Sequence, residues 1–242
     1  MIQVGFKTDK GKRRENNEDS LFVMQEQNIY VVADGVGGHN SGQLASITAV
    51  KVISEYFKTN PIKKNQDEVA FKDYFLQCFR DVNAIIYHMA NTSLENVGMA
   101  TTAVLLNLSD DKAYLANVGD SRAYIIRNGQ LNQITEDHTY VNELFKEGSI
   151  TRAEAEAHPQ KNMITRALGG EENILPDFFQ LETYKNDIFI LCSDGLHGEV
   201  SSDEICRIVT EANSMNGLST DLVNLANSNG GSDNITVICL KI

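Results

Sequence analysis

The chain of 242 residues has no tryptophan, three prolines and four cysteines, and each scarcity narrows what it can be. So few prolines beside an apolar content of 42 % exclude a fibrous or disordered chain. Cys78, Cys192, Cys206 and Cys239 lie far apart, three of them inside apolar runs. That spacing builds neither a disulfide framework nor a zinc knuckle, and it suits reduced thiols. No apolar run reaches the ~20 residues needed to cross a bilayer, and the N-terminus MIQVGFKTDK lacks the apolar region of a signal peptide. A cytoplasmic protein without a membrane anchor is expected. Positive charge is also short: 21 Lys and Arg against 33 Asp and Glu give a net charge of −12. This disfavours nucleic acid and anionic membrane as partners. No GxxxxGK[ST] loop occurs, and no cysteine has an arginine six residues on, as a cysteine-based phosphate loop would require.

The sequence does hold many short β-like runs, at 2–7, 20–25, 28–33, 101–108, 112–118, 121–127, 131–135, 177–184, 187–192 and 234–241. Asn128-Gly129 between two of them signals a hairpin, because it supplies the positive φ angles of a type I′ turn. Helical periodicity is strongest over 43–58, where Leu44, Ile47, Val50, Ile53 and Phe57 share a stripe. Further helices are expected over 67–92 and 217–228. Two more should begin at Thr151 and Ser201, each with Glu three residues later at capping-box spacing. Strands in consecutive groups favour α+β over a doubly wound sheet, with helices layered on stacked antiparallel sheets. No linker tract or repeat divides the chain.

Acids recur at the ends of these runs: Asp34 in YVVADGVGGH, Asp120 in LANVGDSR, Asp194 in ILCSDG, Asp233 in GGSDNITV, and Glu18-Asp19 before a strand. Any one reads as a turn residue. If the strand ends converge, several carboxylates share a small volume and need a cation between them. Carboxylates with a backbone carbonyl are hard oxygen donors suited to Mg²⁺ or Mn²⁺, and Gly35, lacking Cβ, can turn its carbonyl to an ion. Arg14 lies five residues before Asp19 and could fork onto a phosphate. His39 could protonate an alkoxide leaving group. His88, His138, His158 and His197 read as ordinary histidines, and Arg122 and Arg166 as structural.

RRENNED, VVADGVGGH, MATTAV, LANVGDSRAY, ITEDHTYV, KEGSIT, HPQKNMITRALGG, LCSDGL and GGSDNITV follow one another along nearly the whole chain. The ordered set resembles the metal-dependent protein phosphatases (PPM, type 2C serine/threonine phosphatases) in their compact bacterial form. The resemblance implies one catalytic domain over 1–242 with a central antiparallel β-sandwich flanked by helices on both sides, and a flap at about 139–165. Two Mn²⁺ or Mg²⁺ ions, with a possible third, would be cofactors. Asp34 would bridge the two ions, with the Gly35 carbonyl, Asp194 and Asp233 around the first and Glu18 and Asp19 around the second. Asp120 and Asp194 would hold the third. Arg14 would bind the substrate phosphate, His39 would protonate the departing oxygen, and a water or hydroxide bridging the ions would attack phosphorus. The partners implied are phosphorylated proteins, among them a bacterial Ser/Thr kinase and its substrates, acted on by a monomer. Val36, where relatives more often carry Met, and His197, where a small polar residue is more usual, are departures. The alternative is a catalytically silent phosphoprotein-binding regulator on the same scaffold, which would be expected to have lost one of Arg14, Asp34, Asp194 or Asp233.

Overall fold

The computed structural model describes residues 2–38, 40–62 and 68–242. Its strands assort into two antiparallel sheets. One has the order β1 (Gln3–Asp9), β11 (Ile235–Lys241), β10 (Ile188–Cys192), β7 (Arg122–Arg127), β8 (Gln130–Gln133). The other runs β2 (Asp19–Met24), β3 (Ile29–Val36), β5 (Ala103–Ser109), β6 (Lys112–Val118), β9 (Asp177–Glu182), with the short β4 (Ala100–Thr101) paired to the end of β3.

The sheets face each other across an apolar layer that includes Tyr30, Val32, Leu106, Leu115, Ile125, Phe189, Leu191 and Ile238. Helices α1 (Ser41–Thr59) and α2 (Glu68–Thr92) cover the outer face of the second sheet. The one-turn α5 (Asp194–His197), α6 (Ser202–Glu211) and α7 (Met215–Asn229) cover that of the first. The core strands are apolar along most of their length because they are buried on both faces, with a few buried polar residues such as Asn107, Asn117 and Thr236 among them. Within β3, Tyr30 and Val32 enter the layer between sheets while Val31 and Ala33 pack under α1 and α2. The architecture is therefore the expected α+β sandwich with helices on both sides.

Local signals hold up residue by residue. Asn128 and Gly129 adopt φ of 54° and 77° between β7 and β8. Both capping boxes form, Thr151 with Glu154 ahead of α4 (Arg152–Ala157) and Ser201 with Glu204 ahead of α6. Cys78, Cys192 and Cys239 are buried, and the four cysteines are free thiols. Among the described residues no helix is long and apolar enough to cross a membrane.

The helix expected over 67–92 is seen from Glu68 to Thr92, residue 67 lying outside the described residues. Two features differ from expectation. An additional helix, α3 (Tyr140–Lys146), precedes α4; only Val141 of it is buried, too little to leave a periodic signal. The stripe assigned to α1 is right only in its second half. Ile53 and Phe57 are buried, but Leu44 and Ile47 are exposed, and the first turns bury Gly42, Ala45 and Ala49 instead. The reason is close packing: a Cβ at Gly35 would strike the Gly42 carbonyl, so only small residues fit where α1 meets the end of β3.

Candidate active site

One edge of the sandwich collects the ends of strands that are far apart in sequence. Asp19 opens β2 directly across the ladder from Asp34, near the end of β3. Asp120 follows β6, Asp194 follows β10, and Asp233 precedes β11. Asp34 and Asp194 lie close enough for each to shift the other's acidity. Asp34 also lies in the field of Asp19, Asp120 and Asp233.

This crowding shows in the acidities. Burial pushes Asp19 up to about 7, and the charges of Asp194 and Asp233 add to it. Burial and Asp194 raise Asp120 to about 7. Asp34 stands well above the carboxylate range, first through desolvation and then through Asp19, Asp194, Asp120 and Asp233. Asp194 is raised by burial and by Asp233. Burial raises Glu18, opposed by Arg14. Carboxyls placed this way bind protons or cations strongly, because both relieve the same repulsion.

Arg14 is the cation at the rim. Its Nη2 donates to Asp233 Oδ2 at 2.6 Å, and this bond raises the guanidinium pKa despite partial desolvation, with Asp194 and Asp34 contributing. The side chain is 55 % exposed, so the pair is open to competition from an anion in solution.

Neutral side chains hold the acids in place. Ser193 Oγ donates to Asp19 Oδ2 at 2.7 Å and accepts the Thr236 N–H at 3.0 Å. Thr102 Oγ1 accepts the Asp34 N–H at 2.9 Å, and Thr101 Oγ1 donates to the Asp34 carbonyl at 2.8 Å. Asn234 accepts the Glu18 N–H at 2.8 Å and donates to the carbonyls of Lys10 and Asn16. His197, pushed down to about 3 by burial, is neutral; its Nε2 lies 3.0 Å from the Asp120 carbonyl, tying α5 to that turn. Sequence reading passed over Ser193, Thr102, Thr236 and Asn234. Their one signal is a small polar residue inside or against an otherwise apolar run.

Arg14, Glu18, Asp19, Asp34, Gly35, Asp120, Asp194 and Asp233 thus share one edge, whereas His39 lies outside the described residues. Arg122 forks onto Asp137 at 2.6–3.1 Å and Arg166 donates to Asp177 at 3.0 Å, both in protein ion pairs. Among the described residues no three His, Cys, Asp or Glu side chains close into a ready metal cage. The donor set still fits a hard cation. It is oxygen throughout, and Asp19 Oδ1 and Asp194 Oδ1 are buried with no hydrogen-bond partner among the described residues. Orphaned carboxylate oxygens among like charges lack a counter-ion, and a divalent cation with oxygen preference would supply it.

Comparison with known proteins agrees. A family model described as protein phosphatase 2C matches residues 8–234. The serine/threonine phosphatase stp of Listeria monocytogenes is 36 % identical over 99 % of this chain and 96 % of its own. The crystal structure of the serine/threonine phosphatase Stp1 from Staphylococcus aureus superposes with a TM-score of 0.91 at 35 % identity, over 100 % of this chain and 95 % of that one. The catalytic domain of serine threonine protein phosphatase PstP, solved in complex with two manganese ions, gives 0.86 at 31 % identity over 99 % and 97 %. With a matching family model along most of its length and full-length relatives above 30 % identity, the chain belongs to the protein phosphatase 2C family of metal-dependent serine/threonine phosphatases.

Proposed function

We propose that the chain hydrolyses phosphoserine and phosphothreonine in proteins at the edge carrying Asp34, with Mn²⁺ or Mg²⁺ as its cofactor. The observation that carries this is the crowding of Asp19, Asp34, Asp120 and Asp194, whose carboxyls are raised by burial and by one another. On this reading Asp34, the Gly35 carbonyl, Asp194 and Asp233 hold one ion, Glu18 and Asp19 a second, and Asp120 with Asp194 a third. When bound, such ions supply an activated water and positive charge for the phosphoryl oxygens.

The chain's own groups do the rest. Arg14 leaves Asp233 to make a charge-assisted fork on the substrate phosphate, a step its exposure allows. Ser193 and Thr102 fix Asp19 and Asp34 so that no reorganisation is needed when charge develops. His39 donates the proton to the serine or threonine oxygen as it departs. The segment 139–165 acts as a flap that selects substrates. It carries exposed Phe145 and Met163 and is pinned at its stem by Tyr140 N–H to Met163 and Thr165 N–H to His138. We further infer a cytoplasmic monomer whose partners are a Ser/Thr protein kinase and that kinase's substrates; free buried thiols support the compartment.

The test is hydrolysis of p-nitrophenyl phosphate and of a phosphothreonine peptide. Both should require Mn²⁺ or Mg²⁺ and stop on chelation. Asp34→Ala and Asp194→Ala should abolish both while leaving the circular dichroism spectrum intact. Undiminished turnover in excess EDTA would refute the scheme.

A further inference from the structure

The imidazole of His138 lies outside the acidic edge and plays no part in the mechanism above, yet the residue is buried, 5 % exposed, and fully engaged. Its Nδ1 accepts the Gly119 N–H at 3.0 Å, a bond buried on both sides. Its own N–H donates to the Gly119 carbonyl at 3.0 Å, and its carbonyl accepts the Thr165 N–H at 2.8 Å. With Nδ1 an acceptor, the proton sits on Nε2, which points at Asp177 Oδ2 3.1 Å away. Arg166 donates to the other oxygen of that carboxylate at 3.0 Å. Desolvation lowers the imidazole pKa and keeps it neutral, the form this pattern needs.

What His138 grips is the residue before Asp120. Gly119 has φ of +100°, and its missing Cβ would fall against the side chain of Thr102. Thr102 accepts the Asp34 N–H and shares a 2.7 Å hydrogen bond with Ser121 on the far side of Asp120. Asp120 is therefore clamped at both neighbours, by His138 through Gly119 and by Thr102 through Ser121, while His197 contacts its carbonyl. Only the His138 arm continues into the stem of the 139–165 segment.

We infer that His138 is a positioning residue: its imidazole holds the Gly119–Asp120 turn so that the Asp120 carboxylate faces Asp194, and it ties that aim to the stem of the flap at Thr165. This rests on the reading above in which Asp120 and Asp194 share a cation. Groups that orient a metal ligand from behind typically change metal affinity 10–100-fold when altered.

The experiment is calorimetric titration of the metal-free protein with Mn²⁺, alongside thermal unfolding in EDTA. Asp120→Asn should lose the weakest binding event and keep the tighter ones. His138→Gln, which can reach Asp177 but offers no acceptor at Nδ1, should weaken that same event about 10–100-fold. His138→Asn, whose Oδ1 replaces Nδ1, should recover most of it even though its thermal stability falls as far. The double variant Asp120→Asn, His138→Gln should bind Mn²⁺ like Asp120→Asn alone, since the two act on one site. Additive losses, or equal losses in the Asn and Gln variants, would overturn the inference. A wild-type protein that binds no Mn²⁺ would instead overturn the metal reading on which it stands.

Discussion

Asp19 offers the sharpest test of the electrostatics. Burial, with Asp194 and Asp233, raises it from 3.8 to about 7, and the residue is 7 % exposed, so solvent screens little of this. A carboxyl raised on folding means that the folded state binds more protons than the unfolded one between those values. Stability of the metal-free protein must therefore fall as pH rises through that window. At about 1.36 kcal/mol per pH unit, this group alone costs about 4 kcal/mol over the whole window and about 2 kcal/mol between about pH 5.5 and 8. Asp19→Asn keeps the shape and an oxygen to accept from Ser193 while removing the charge. Urea unfolding in EDTA should then show the variant gaining on wild type by about 2 kcal/mol over the same interval. Saturating Mn²⁺ should erase the wild-type loss, since a bound cation neutralises the same charge. Identical pH dependence in the two metal-free proteins would refute the claim that Asp19 is held ionised at a cost.

Three further outcomes are expected. Gly42→Ala drives a Cβ into Glu18 Oε2 and to 2.9 Å from the Gly35 carbonyl carbon; thermal melts should show a loss of about 1–3 kcal/mol, and Mn²⁺ affinity should fall with it. Thr151→Ala removes the hydroxyl that accepts the Glu154 N–H at the start of α4, leaving only the backbone half of the box, at a local cost of about 1 kcal/mol. Amide exchange should quicken in α4 while global unfolding stays unchanged; uniform exchange along the chain would count against a separately moving flap. Phe79, fully buried between α2 and the sheet, should cost about 3–5 kcal/mol on Phe79→Ala with kcat unaltered in the protein that remains folded.

Much of this molecule is written locally in its sequence. Strands buried on both faces had to be largely apolar, so IYVVA and IFILC announce themselves. Asn128-Gly129 had to turn, since its φ angles are ones that few other residues adopt without strain. Thr151 and Ser201, with their glutamates, had to start helices. The acids at the strand mouths were visible because an ionisable residue ending an apolar run needs a reason.

The pattern could not say which way α1 would roll. Leu44 and Ile47 fit the periodic stripe as well as Ile53 and Phe57 do. Only the approach of Gly42 to Gly35 turned the small residues inward. Nor could it show that Ser193 would bond to Asp19, 174 positions away, or that His138 would close on Gly119. Periodicity and capping are decided within a few residues of backbone, so sequence alone determined the elements and the acids that end them. The partners of buried polar groups are decided by which strands become neighbours, and only the tertiary structure fixed those.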